Sequence, residues 1–333
     1  MSALDALTVE IGAAAWAALG NGTALVALTA LLLWLLRRRL PAGAQALLWT
    51  AALVKFVIPC GPSLSASLSQ GLQLAGRPIA FDARDALVAC ESAAVVILKT
   101  VLVALYAAIV VVLALRAIRR YRRLLARARS LPPAGVDTRR RVAARAAQLG
   151  VRPPDVRRSD EPVSPHLVGV LRPILIVPDW LAAAGDAEEA FLVHELAHLR
   201  RRDHWLLPAI AAIEILFFFW PPLRYAASRL RGAREAACDA TAVTVGPLSP
   251  TAYARSLVHA ARNVAARPAA CRLVLSGAVT CRLEERVDFL LHPPDRRVAR
   301  FWLAAAVAVW TTWALAGAQP PPPRRCSSLG ART

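Results

Sequence analysis

Two histidines four residues apart, with a glutamate directly after the first, stand in the run FLVHELAHLRRRD (191–203). On a helix, positions i and i+4 lie about 40° apart around the axis and one turn apart along it. The imidazoles of His194 and His198 can then reach one tetrahedral metal ion, and zinc is the ion this donor set suits. Glu195 sits on the flank of that face, near the position the ligands leave open. There it is suited to take a proton from a water that the metal has acidified. The neighbouring Phe191, Leu192, Val193, Leu196, Ala197 and Leu199 predict that the segment is a buried helix.

A catalytic zinc takes a third protein ligand and keeps one position for water. RGAREAACDA (231–240) offers the donor. Glu235 and Asp239 are again four apart and share a helix face. Glu235 is the expected ligand. Asp239 is placed to orient an imidazole from behind. Asp203 is expected to face away from the ligands, as a cap or an ion-pair partner. His166, His204, His259 and His292 do not share the ligand spacing and are read as structural.

The elements that must position these residues include long apolar blocks. The chain has 333 residues, 57% of them hydrophobic, and a net charge of +19. Apolar residues collect in blocks at about 11–36, 44–59, 86–115 and 301–318, the pattern of bilayer spans. Arginines crowd beside them, as at Arg37, Arg38 and Arg39, in RAIRRYRRLLARARS (116–130), and at Arg296, Arg297 and Arg300. With the N-terminus outside, every basic cluster falls on the inner face. This placement accounts for the positive charge through membrane orientation and anionic lipid, and no nucleic-acid motif accompanies it. Asp5 and Glu10 precede the first block where a cleaved signal would carry positive charge, so that block is read as an uncleaved span. Lys55 and Glu91 fall at similar depth and could pair, or each could reach its own interface. Lys99 lies deeper in the same block. The six cysteines form no CxxC pair, which argues against a cysteine zinc site. Cys60 and Cys90 fall near the outer surface, either bridged or free. Cys238, Cys271 and Cys281 are expected in the reducing interior.

The stretch WLLPAIAAIEILFFFWPP (205–222) separates the two acid-and-histidine segments. A single crossing there would put the histidines and Glu235 on opposite sides of the membrane. Both flanks are basic, Arg200–Arg202 before and Arg224, Arg229 and Arg231 after, and so both belong inside. Pro208, Glu214 and the Pro221–Pro222 pair interrupt it. The segment is therefore expected to be a buried helical hairpin or a re-entrant one, with the site at the inner membrane surface.

Taken in order, these segments resemble the membrane metallopeptidases of the BlaR1/MecR1 type, peptidase family M56. The resemblance rests on SPHLVGVLRPILIVP (164–178), HELAHLRRRDH (194–204), FFFWPPL (217–223) and SRLRGAREAACD (228–239). YARSLVHAA (253–261) and LEERVDFLL (283–291) look like the family's later helices. It implies zinc at His194, His198 and Glu235, Glu195 as general base and Asp239 as a supporting acid. It also implies a mainly α, polytopic membrane protein with about four transmembrane helices. Residues 1–115 would hold three spans and an external loop at 60–85. Residues 116–300 would form a cytoplasmic gluzincin-like α(+β) zinc peptidase domain. A fourth span at 301–318 and a short external tail at 319–333 would follow. Such a protein of the bacterial cytoplasmic membrane would cleave a protein or peptide, such as a cytoplasmic transcriptional repressor, in a signalling role. A homodimer is compatible with this. The strand-like Val168–Val177 could hold an extended substrate by edge pairing.

The best-known members carry a penicillin-binding sensor domain after the last span. Only AQPPPPRRCSSLGART (318–333) stands there in this sequence, so β-lactam sensing is not expected. Ala233 stands where the family often has an acid, a departure that touches no ligand. A housekeeping protease of the HtpX/Ste24 kind shares the histidine motif and a later E-x-x-x-D. A non-catalytic zinc-fold sensor is the rival outside enzymes, and the full set of ligands and base argues against it.

Overall fold

A computed structural model describes residues 3–36, 39–57, 93–161, 164–181, 184–265 and 283–294, with isolated positions at 304, 307 and 308. The described chain is mainly helical. In order it forms α1 (Ala3–Leu36), α2 (Ala42–Val57), α3 (Ala93–Ser130) and α4 (Val136–Leu149). The strands β1 (Asp155–Ser159), β2 (His166–Val168) and β3 (Ile174–Pro178) follow. Then come α5 (Asp186–Arg200), α6 (Asp203–Leu216), α7 (Pro221–Val245), α8 (Pro250–Ala265) and α9 (Leu283–Leu291). Glu91, Cys60, Cys90, Cys271, Cys281, the 60–85 loop and nearly all of the fourth apolar block lie outside the described residues.

Ala, Val, Ile and Leu make up the first turns of α3 apart from Lys99 and Thr100. Its Ile97, Leu102 and Val103 are all more than half exposed. An apolar helix whose side chains face outward is one that lipid would cover. Among the described residues Ile97–Ser130 is the one helix long and apolar enough to cross a membrane, while Gly22–Leu36 and Ala42–Val57 are apolar but shorter. The expected count of four spans therefore stays with the sequence. The helix does not end at its arginines. It runs on to Ser130, where Leu124, Leu125 and Ala128 pack on Val168, Ile174 and Ile176 of the sheet.

The sheet has the order β1-β3-β2, with β1 parallel and β2 antiparallel to the central strand. The segment Val168–Val177 is thus not one strand with a free edge. It turns at 169–173, and β3 has a neighbour on each side. Gly169 makes that turn at φ 107°, and a Cβ there would meet the carbonyl oxygen of Arg172 at 2.6 Å. No L side chain fits such a site.

Two apolar cores share α7. One joins α4, the sheet, α5 and α8 around Leu175, Leu181, Leu192, Leu196 and Tyr253. The other joins α1 and α2 to Ile210, Leu223, Ala226, Ala227 and Leu230 of the α6–α7 pair. The 205–222 stretch turns back between these two helices as a hairpin, but it is not the buried one expected: Trp205, Leu207, Leu216 and Phe219 are exposed, and Ile210 is its one buried residue. Pro221 and Pro222 open α7, where a missing N–H leaves no helical bond unmade. At the turn, Trp220 Nε1 donates to Thr23 Oγ1 at 2.9 Å, Tyr106 OH donates to the Leu216 carbonyl at 2.7 Å, and Phe56 meets Phe217. Glu214, the acid within the apolar run, is answered across the hairpin by Arg231, two bonds of 2.9 Å.

Candidate metal centre

The second half of α7 crosses α5, and the crossing brings together the residues singled out by spacing. On α5 the rings of His194 and His198 stand 5.0 Å apart and nearly perpendicular. From α7, Glu235 offers one oxygen to each. Its Oε2 lies 3.6 Å from His194 Nε2 and its Oε1 lies 3.6 Å from His198 Nε2. A tetrahedral ion with donors at about 2.0–2.1 Å would hold them about 3.3–3.4 Å apart. The three donor groups lie within 4.8 Å of one another, so the set closes on an ion with little movement.

Each imidazole is held from behind through Nδ1. His194 Nδ1 lies 2.9 Å from Asp239 Oδ1, and His198 Nδ1 lies 2.6 Å from Asp203 Oδ2. A carboxylate on Nδ1 fixes that nitrogen as the N–H and leaves the Nε2 lone pair for a metal. Asp203 therefore does not face away, contrary to the expectation from helical spacing. The helix of the histidines stops at Arg200. Arg202 takes φ 57°, ψ 34°, and α6 begins at Asp203, which the turn swings back onto His198. Arg234 of α7 secures the arrangement by contacting Asp203 and donating to the Arg201 carbonyl at 2.8 Å.

Two residues at the centre were not found by spacing. Tyr253 of α8 is fully buried, and its hydroxyl donates to Asp239 Oδ1 at 3.0 Å. Arg286 of α9 contacts both Asp239 and Glu235. The sequence shows their segments but gives neither residue a local signature, because both act across the fold. His166 bonds the Ser164 carbonyl, and His292 pairs with Asp288 in the open.

Electrostatics supply the test of whether a divalent ion belongs here. Four carboxylates converge, from Glu195, Asp203, Glu235 and Asp239. Two guanidinium groups touch them, from Arg234 and Arg286. Negative charge is in excess over those two guanidinium groups. The histidines absorb that excess when no metal is bound. Burial opposes a proton on His194, yet Asp239 and then Glu235 outweigh it and lift its pKa to about 10. Burial likewise opposes charge on His198, and Cys238, Glu235 and Glu195 carry it to about 10. Burial works against Glu235 as an anion too, but the two histidines and Arg286 hold it at about 2. Glu195, by contrast, is raised, chiefly by burial. Two imidazole nitrogens and a carboxylate within reach of one ion, each imidazole backed by its own acid, are a donor set that fits a divalent metal.

A second set of donors, His198, Asp203 and Cys238, also lies close together. Cys238 is fully buried with Sγ 3.4 Å from His198 Nδ1. The Arg234 guanidinium already contacts Asp203 there, and a positive group beside the donors disfavours a second cation.

Comparison with known proteins gives a match to the family model for the BlaR1 peptidase M56 over residues 15–290. A stretch of 77 residues is 31% identical to the regulatory protein BlaR1 of Bacillus licheniformis. That stretch is 23% of this chain and 13% of the relative, so the chain matches only a small part of that protein's length.

Proposed function

The chain belongs to the BlaR1 peptidase M56 family, a family of membrane metallopeptidases, and from that premise we propose that it is a zinc metalloendopeptidase with a regulatory role. In this reading His194, His198 and Glu235 hold the ion. Bound there, zinc would polarise the scissile carbonyl and acidify the attacking water. Glu195 takes the water's proton and returns it to the leaving amine. Asp239 and Asp203 keep the imidazoles in the tautomer that presents Nε2. Glu195, buried beside both histidines, carries the proton between the two transfers. The observation that carries the reading is the closing of two Nε2 atoms and one carboxylate on a single point, each imidazole backed by its own acid.

The site lies where the 205–222 hairpin leaves the α1–α2 pair, which supports a peptidase held at the inner membrane surface. Thr23, beside the hairpin's turn, is 13 residues from the end of α1 at Leu36, or about 20 Å along the helix. A hairpin that enters and returns keeps both ligand segments on one side. The substrate we propose is a cytoplasmic protein such as a transcriptional repressor.

The direct test is zinc content of the chain purified in detergent. One zinc per chain, lost or much weakened in His194→Ala and Glu235→Gln, is the expected result. A wild-type chain that takes up no zinc at neutral pH after supplementation would remove the enzyme reading. Glu195→Gln should keep the metal, abolish turnover and so trap substrates.

A further inference from the structure

Arg286 uses all three nitrogens of its guanidinium on the centre. Nε donates to Asp239 Oδ2 at 2.7 Å, and one terminal nitrogen donates to Asp239 Oδ1 at 2.6 Å. The other terminal nitrogen lies 3.3 Å from Glu235 Oε2. We propose that Arg286 is a positioning residue for the metal centre, one that sets the Asp239 and Glu235 carboxylates at once and makes the centre depend on α9. The proposal rests on the metal reading above.

The argument is geometric. Asp239 has no solvent exposure, and its Oδ1 must face His194 Nδ1 if Nε2 is to point at an ion. One hydrogen bond leaves a carboxylate free to rotate about its terminal torsion, which is broad. A planar fork on both oxygens removes that freedom. Tyr253 donates to the same Oδ1 and closes the third side. The remaining Arg286 nitrogen ties the orientation of Asp239 to that of Glu235, so a ligand and its neighbour's support share one anchor. A lysine could supply the charge but not the fork.

Arg286 reaches the centre from α9, which follows residues 266–282 and precedes the fourth apolar block. A second contact docks the same helix further out, Arg229 of α7 with Glu285 at 3.0 Å. Glu285 is half exposed, so this pair attaches α9 without touching the ligands. It separates the two ways in which α9 could matter.

The experiment is cobalt titration of the full chain in detergent, read by the visible absorption of the bound ion and by equilibrium affinity. Wild type, Arg286→Gln, Arg286→Lys and Arg229→Gln are compared. Loss of support behind a ligand costs about 10–100-fold in metal affinity. Arg286→Gln is expected to weaken cobalt by that factor and to alter the absorption band. Arg286→Lys should fall between it and wild type, and Arg229→Gln should match wild type. Equal affinity and band for Arg286→Gln and wild type would overturn the proposal. Equal weakening in Arg286→Gln and Arg229→Gln would also overturn it, by showing that docking of α9 is what counts. Should Arg286→Gln fail to fold, Arg286→Lys decides, weaker binding supporting the role and unchanged binding ending it. A wild-type chain that binds neither cobalt nor zinc would bring down the metal reading itself, an outcome distinct from a change confined to the variants.

Discussion

The two ends of α7 live in different physical worlds. Its first half, with Leu223, Ala226, Ala227 and Leu230, is buried against α1 and α2 and held by shape. Ala226 and Ala227 there are fully buried and let the helices approach closely. Its second half carries Arg234, Glu235, Cys238 and Asp239 into a cluster where charge decides the arrangement. Packing tolerates small errors through local collapse. A charged cluster does not, because removing one partner leaves its mate buried and uncompensated. The single helix that spans both ends connects the apolar core it shares with α1 and α2 to the charged cluster around Glu235.

The largest effect expected from breaking this comparison lies at the packed end. Leu230→Ala removes a fully buried side chain and should cost about 2–5 kcal/mol in unfolding free energy. Cobalt affinity measured on the still-folded variant should stay at the wild-type value. A fall in affinity under conditions where the helical circular dichroism is intact would show that the two ends are not independent.

At the charged end the first lever is pH. Both histidines carry protons in the metal-free site, with pKa values lifted to about 10. Metal binding must expel those protons, so affinity rises as pH rises and falls as pH falls. With two protons released, the limiting slope below pH 10 is about 100-fold per pH unit. Calorimetry of zinc binding in buffers of different ionisation enthalpy at neutral pH should count about two protons released. Zero protons would mean that the histidines are already neutral and that the charge deficit is met in another way.

Asp203→Asn comes next. It keeps the shape but presents an amide to His198 Nδ1 and to Arg234, and about a 10–100-fold loss of zinc affinity is expected. An unchanged affinity would demote Asp203 to a structural acid, the role first expected for it.

That case marks where the sequence stops being legible. His194, His198, Glu235 and Asp239 could be found because each pair obeys a helix's own repeat, and local spacing reports local geometry. The turn-back of 205–222 is also legible, from arginines on both flanks and prolines at 221 and 222, whereas its exposure is not, because apolar composition alone predicts burial. Extending the α5 repeat past Arg201 misplaces Asp203, because the helix has ended there. Val168–Val177 is strand-like in composition, but Gly169 and Pro173 bracket a turn that divides it. Tyr253 and Arg286 carried no spacing signal at all. Their partners are 14 and 47 positions away, and only the packing of α9 on α7 and of α8 on α5 and α9 brings them in.

The smallest effect tests the turn itself. Arg202 holds a left-handed conformation that costs an L residue about 1–2 kcal/mol. Arg202→Gly relieves that cost and adds a comparable entropy to the unfolded chain, so stability should shift by less than about 1 kcal/mol. Zinc affinity should not move, since Asp203 keeps its place. Arg202→Val puts a β-branched residue where the backbone least accepts one, and should lower both the melting temperature and zinc affinity. If valine lowers stability alone, His198 does not depend on how the chain turns into α6. If valine lowers both and glycine neither, the turn is the device that supplies the second imidazole with its acid.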